Sequence, residues 1–179
     1  MATILSGIHS LEQHLSRLQS TPDDYRPARC PDCGKAGLWG HGCYGRKSDR
    51  GSPAAHRLNP IPIPRFRCRH CRRTCSTLPE CVPPRRWYLW LVQQAALALM
   101  LSASSLLAAS KKLIPSRKTL RRWRLQLQQR FEVHADCLRS RFPALGRASG
   151  FSSFWHACLT QIPLSRAMFW VQQAEGVVP

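Results

Sequence analysis

Acid is what this chain has least of: nine Asp and Glu stand against 27 Lys and Arg, a formal net charge of +18. Between residues 57 and 130 the only acid is Glu80, while sixteen basic residues fall in the same stretch. A solvated surface usually mixes both signs, so a one-signed tract argues for contact with a polyanion, of which nucleic acid is the commonest inside a cell. The first twenty residues have no basic segment followed by a continuous apolar one, which argues against a secretory leader and hence against a disulfide framework. No internal repeat and no long low-complexity tract appears. Nucleophile, base and orienter are not gathered anywhere in the sequence, so an enzyme is not expected.

Cysteine, by contrast, is abundant, with nine in 179 residues. Four form two Cys-x-x-Cys knuckles, Cys30-Pro31-Asp32-Cys33-Gly34 and Cys68-Arg69-His70-Cys71, separated by 34 residues. Thiolates at this spacing sit on one tight turn and point at one ion. Two such turns complete the closed tetrahedral site of one structural zinc, which has no open position for catalysis. Gly34 follows the first knuckle where the backbone often needs φ > 0, and Arg72 occupies that place in the second. Cys43, Cys75, Cys81, Cys137 and Cys158 are read as buried packing. His41 and His70 are the alternative ligands if a knuckle is not used.

The expected fold class is small α+β: an amino-terminal zinc ribbon of short antiparallel strands around the four-cysteine site, then an all-α helix-turn-helix domain. Ile4, Ile8, Leu11, Leu15 and Leu18 recur in steps of four and three, which predicts an amphipathic helix before Thr21-Pro22. Residues 1–27 are that helix and a linker, and residues 28–82 are the ribbon. Its strands are 38–46 and 61–67, with Pro62 and Pro64 restricting the second to a sheet edge and 48–59 as an exposed hairpin loop.

Residues 87–110 carry no charge for 24 positions, long enough to cross a membrane. Gln93, Gln94, Ser102, Ser104 and Ser105 interrupt the run, and Arg85-Arg86 and Lys111-Lys112 flank it equally. Two helices, 85–100 and 103–110 with Ser102 or Ser104 as cap, are the better reading, and no membrane is expected as a partner. A third helix, capped by Ser116 and running to residue 130, puts Leu120, Trp123, Leu127 and Phe131 on one face and Lys118, Arg121, Arg122 and Gln129 on the other. Residues 83–142 thus read as a helix-turn-helix, and 143–179 as short helical segments covering its core.

Arg117, Lys118, Arg121 and Arg122 are the candidate groove contacts, with Ser116, Lys111 and Lys112 on phosphates. Arg65, Arg67, Arg69, Arg72 and Arg73 are backbone contacts from the ribbon. The expected partner is double-stranded DNA and the expected location the cytoplasm, associated with the nucleoid.

Cys30-Pro31-Asp32-Cys33-Gly34, then Gly40-His41-Gly42-Cys43-Tyr44-Gly45-Arg46, then Pro64-Arg65-Phe66-Arg67-Cys68-Arg69-His70-Cys71-Arg72-Arg73-Thr74 and Ser76-Thr77-Leu78-Pro79 resemble the zinc-binding amino-terminal region of bacterial insertion-sequence transposases and their short relatives, over residues 28–130. The resemblance implies recognition of element ends, with Cys30, Cys33, Cys68 and Cys71 as zinc ligands. The chain departs from the family at Cys75, where an aromatic is usual, and at the missing second-knuckle glycine. Such transposases cut DNA with three carboxylates holding two metal ions. Beyond the basic helix stand only Glu132, Asp136 and Glu175, too few and on segments too short for that sheet, so the catalytic domain is expected to be absent. The leading expectation is therefore a zinc-stabilised, non-catalytic DNA-binding protein. The alternatives are an interaction subunit, self-associating or bridging a separate catalytic transposase subunit, a transcriptional regulator, or an RNA-binding zinc ribbon. The last is disfavoured because only Phe66 offers an aromatic beside the basic strand.

Overall fold

The computed structural model describes residues 2–47, 60–84, 88–102 and 104–175. The chain is mixed α+β and divides into two units, residues 1–89 and 90–179. The expected hairpin loop, 48–59, lies outside the described residues.

The first unit is a four-stranded sheet in the order β1-β4-β3-β2, formed by β1 (Ala2–Leu5), β2 (Leu38–Arg46), β3 (Ile61–Cys68) and β4 (Thr74–Pro79). β1 runs parallel to β4, whereas β3 is antiparallel to both β2 and β4. The two strands expected from alternation and punctuation form where expected, but the edge assignment for β3 is wrong. It is an interior strand, and the register shows how two prolines fit there. Pro62 and Pro64 are two residues apart, so their missing donors face the same side, and the β4 ladder pairs only Arg65 to Arg67, past both. The Pro62 carbonyl accepts instead from His14 Nε2 at 2.8 Å.

The single helix expected over the apolar series from Ile4 to Leu18 is also corrected. Ile4 lies in β1, the chain turns at Gly7 (φ +80), and α1 spans Leu11–Ser20. A capping box sets that start: Ser10 Oγ accepts from the Gln13 N–H at 3.2 Å and Gln13 Oε1 accepts from the Ser10 N–H at 3.3 Å. Four-and-three spacing alone missed it because β1 and the turn happen to continue the period.

His14, on α1, is fully buried against Tyr25 of the short 3-10 turn Pro22–Tyr25. With Nε2–H given to Pro62, Nδ1 is the acceptor for the Tyr25 hydroxyl at 2.6 Å. Desolvation holds its pKa below the usual histidine value despite the Pro62 hydrogen bond, so the ring is neutral. One apolar cluster joins Ile8, Tyr25, Leu38 and Phe66 to Cys30, Cys68 and Cys75, and a second gathers Ile61, Ile63, Leu78 and Val82.

The second unit is helical: α2 (Trp90–Leu101), α3 (Leu106–Lys112), α4 (Arg117–Gln129), α5 (Phe131–Arg141), the 3-10 turn Pro143–Arg147, α6 (Phe151–Gln161) and α7 (Leu164–Glu175). The uncharged run splits into two helices that end later than expected, and the expected starts at 85 and 103 lie outside the described residues. Ser105, not Ser102 or Ser104, caps α3 by accepting from the Ala108 N–H at 3.1 Å, while Ser102 Oγ donates to the Leu99 carbonyl at the end of α2. Among the described residues no helix is long and apolar enough to cross a membrane. Gln94, whose polarity argued against a membrane span, accepts from the Leu164 N–H at 2.8 Å and so satisfies the start of α7. The core takes Trp90 and Leu97 from α2, Leu127 from α4 and Leu138 from α5, with Phe154, Trp155, Leu164, Met168 and Val171 from the last two helices. The carboxy-terminal segments are thus part of this core.

Candidate metal centre and basic helix

Cys30 and Cys33 lie ahead of β2, Cys68 ends β3 and Cys71 lies in the turn to β4, so the β2–β3–β4 meander carries the two knuckles to one end of the sheet. Their four sulfurs lie within 4.8 Å of one another, with Cys30 to Cys71 and Cys33 to Cys68 each at 3.7 Å. A disulfide requires about 2.05 Å, so these are not disulfides. A tetrahedron of sulfurs about 2.3 Å from a central ion has edges of about 3.8 Å, and the two shortest separations match it. The four cysteines can therefore hold a metal ion.

The two knuckles are built alike. In the first, the Gly34 N–H donates to the Cys30 carbonyl at 2.8 Å and the Cys30 N–H donates to the Lys35 carbonyl at 2.9 Å. In the second, the Arg72 N–H donates to Cys68 at 3.1 Å and the Cys68 N–H to Arg73 at 3.0 Å. This turn needs a left-handed residue after the second cysteine: Gly34 has φ +72 and Arg72 has φ +61, the only non-glycine at positive φ among the described residues. Backbone N–H groups stabilise thiolate here. That of Cys71 first, then that of His70, pulls the Cys68 thiol down to about 7.

The remaining cysteines are separate. Burial pushes Cys81 and Cys158 up to about 12, which keeps them as inert thiols, and it raises Cys75 as well. Cys43 departs from its expected buried role, because it is exposed on β2. The bulge between Gly40 and Cys43, with Gly42 at φ +71, shifts the register there. His41 and His70 are exposed and outside the metal-capable group.

On α4, Leu120, Trp123 and Leu127 are buried, while Arg117, Lys118, Arg121, Arg122 and Arg124 are exposed. Ser116 caps the helix through Oγ, which accepts from the Thr119 N–H at 3.4 Å. Lys111 and Lys112 are exposed in the last turn of α3. The ribbon arginines are dispersed. Arg65 is half-buried and donates to Thr74 Oγ1 at 3.4 Å, Arg67 Nε donates to the Arg72 carbonyl at 3.4 Å, and Arg73 pairs with Asp32 at 3.4 Å. The Arg69 stem lies over Gly37, where an added Cβ would come within 2.5 Å of its Cδ. Arg124 was missed by reading the helix as two faces; counting charge along it would have found it. Trp39 was missed too. It is 63% exposed on β2, whereas Phe66, the aromatic singled out from sequence, is buried at 4%.

The chain matches a family described as a domain of unknown function (DUF6431) over residues 30–123, more than half its length, and belongs to it. The matched region runs from the first cysteine of the metal centre to Trp123 of α4. Comparison with curated proteins returns no match, and neither does comparison with solved structures.

Proposed function

We propose that this chain is a zinc-stabilised DNA-binding protein, related to the amino-terminal regions of insertion-sequence transposases, in which a zinc ribbon accompanies a helix-turn-helix and no catalysis is carried out. Zinc is the ion that four thiolates in a closed tetrahedral arrangement suit best. The expected role is mechanical: the ion ties the turn before β2 to the turn after β3, and the meander is held between them.

The observation that carries the DNA reading is the charge on α4. Five exposed cations and no acid lie on a helix whose other face is core. Two of them, Arg117 and Lys118, sit in the first turn, where the helix dipole is positive and cations cost stability. Lys111 and Lys112, at the end of α3, are where the dipole favours them, so they need no functional explanation; Arg117 and Lys118 do. A phosphate backbone supplies it, since it meets both the cations and the first-turn N–H groups. α3, a four-residue connection and α4 make the helix pair, and Leu125, 45% exposed among the cations, is an apolar group of the kind that meets a thymine methyl.

Labelled duplex DNA and fluorescence anisotropy at two salt concentrations test this. The Lys118/Arg121/Arg122 triple alanine variant should lose affinity and show a shallower salt dependence, with its helical spectrum unchanged. Equal affinity for that variant and the parent at the same salt refutes the assignment of α4.

A further inference from the structure

One face of the sheet in the first unit holds Leu38, Phe66, Cys68 and Cys75 as core, and the opposite face is covered at its other end by Ile61, Ile63 and Leu78, which leaves it open only near the cysteine knuckles. Residues opposed in register point to the same side, so Trp39, paired with Arg67, and Arg67, paired with Thr74, share the other face with Arg65 and its partner Ser76. Trp39 and Arg67 are exposed and the other three half-buried. β2, β3 and β4 contain no acid. A single exposed apolar residue is ordinary. An exposed indole with two guanidinium groups and two hydroxyls at the open end of one sheet face is a specific combination: a stacking plane bordered by donors for phosphate.

We propose that this face binds an unpaired DNA strand, with a base stacked on Trp39 and its phosphates met by Arg67 and Arg65. The charge complements a phosphate backbone, and the exposed Trp39 indole is what calls for an unpaired strand. Bases inside a duplex have both faces covered by neighbours, so only an unstacked base can lie on an indole. Among the described residues Arg67 is bonded through Nε, to the Arg72 carbonyl, which orients its outer nitrogens, and Arg65 is braced by Thr74. The inference rests on the DNA-binding reading but assigns a second surface and a different form of DNA from those assigned to α4.

The metal-loaded full chain is titrated against labelled dT15, rU15 and a 20-base-pair duplex at moderate salt. Trp39→Ala should weaken dT15 binding by about fivefold to a hundredfold, the range for loss of one stacked base, and leave duplex affinity unchanged. Trp39→Phe should retain most of the dT15 affinity, and the Lys118/Arg121/Arg122 variant should lose the duplex while keeping dT15. Metal stoichiometry and far-ultraviolet spectra verify that each variant is folded. The inference is overturned if Trp39→Ala binds dT15 like the parent, if the parent binds duplex but not dT15, if Trp39→Ala loses duplex and dT15 alike, or if rU15 is bound in preference to dT15. Trp39-dependent dT15 binding with no duplex binding sustains it while refuting the role of α4.

Discussion

Arg72→Gly should make the first unit more stable, although it removes a side chain. Arg72 holds φ +61 because the second knuckle repeats the hydrogen bonds of the first, where Gly34 holds φ +72. A residue with a Cβ pays roughly 1–2 kcal/mol for the left-handed conformation. Glycine escapes that penalty but adds about 0.5–1 kcal/mol of chain entropy to the unfolded state. The net gain is about 0.5–1 kcal/mol. The exposed side chain adds little to the balance, since the Arg72 atom that Arg67 uses is the carbonyl, which glycine keeps. In the proposed zinc ribbon, folding of the knuckle is coupled to metal capture, so apparent zinc affinity should rise by about two- to fivefold. Gly34→Ala is the converse. Nothing lies within 4 Å of its added Cβ, so any loss is backbone strain alone and should be of similar size. Denaturant titration of the metal-loaded protein reads both as shifts of midpoint at constant slope. If Arg72→Gly lowers the midpoint, or Gly34→Ala leaves it unchanged, the left-handed requirement at the two knuckles is wrong.

Native mass spectrometry should find one metal per chain, lost in a Cys30→Ser/Cys68→Ser variant and retained in Cys43→Ser, whose thiol is exposed and outside the cluster. His14, held neutral by burial, makes stability fall with acid. Its folded pKa lies below the unfolded value, so the unfolded chain takes up a proton that the folded one refuses, and the contribution is full above about 6.5 and lost as pH falls below it. The difference in denaturation midpoint between parent and His14→Gln should therefore shrink from pH 7.5 to 5.5; a constant difference would contradict the neutral-ring assignment. Trp123→Ala should cost about 3–5 kcal/mol, seen as loss of cooperative thermal unfolding of the second unit, because its indole is buried under α4.

The residues that speak for themselves in sequence are those whose chemistry is local. Cysteines spaced by two residues must share a turn, alternation in 61–67 must be a strand, and Ser116 before Leu120, Trp123 and Leu127 must open an amphipathic helix. The Ser10/Gln13 capping box was equally local, and a longer apolar period that crossed a strand and a turn hid it. What the tertiary structure alone decided is non-local. β3 could become interior only because β4 pairs past Pro64 and His14, from a helix nearly fifty residues earlier, satisfies the Pro62 carbonyl. Which aromatic faces outward, Trp39 or Phe66, depends on the face each strand turns to the core, because side chains one residue apart point oppositely. The sulfurs' separations depend on the registers that bring the turn after β3 back to the turn before β2. Pattern within a segment is legible from the chain alone; register between segments is set by packing, which no single segment contains.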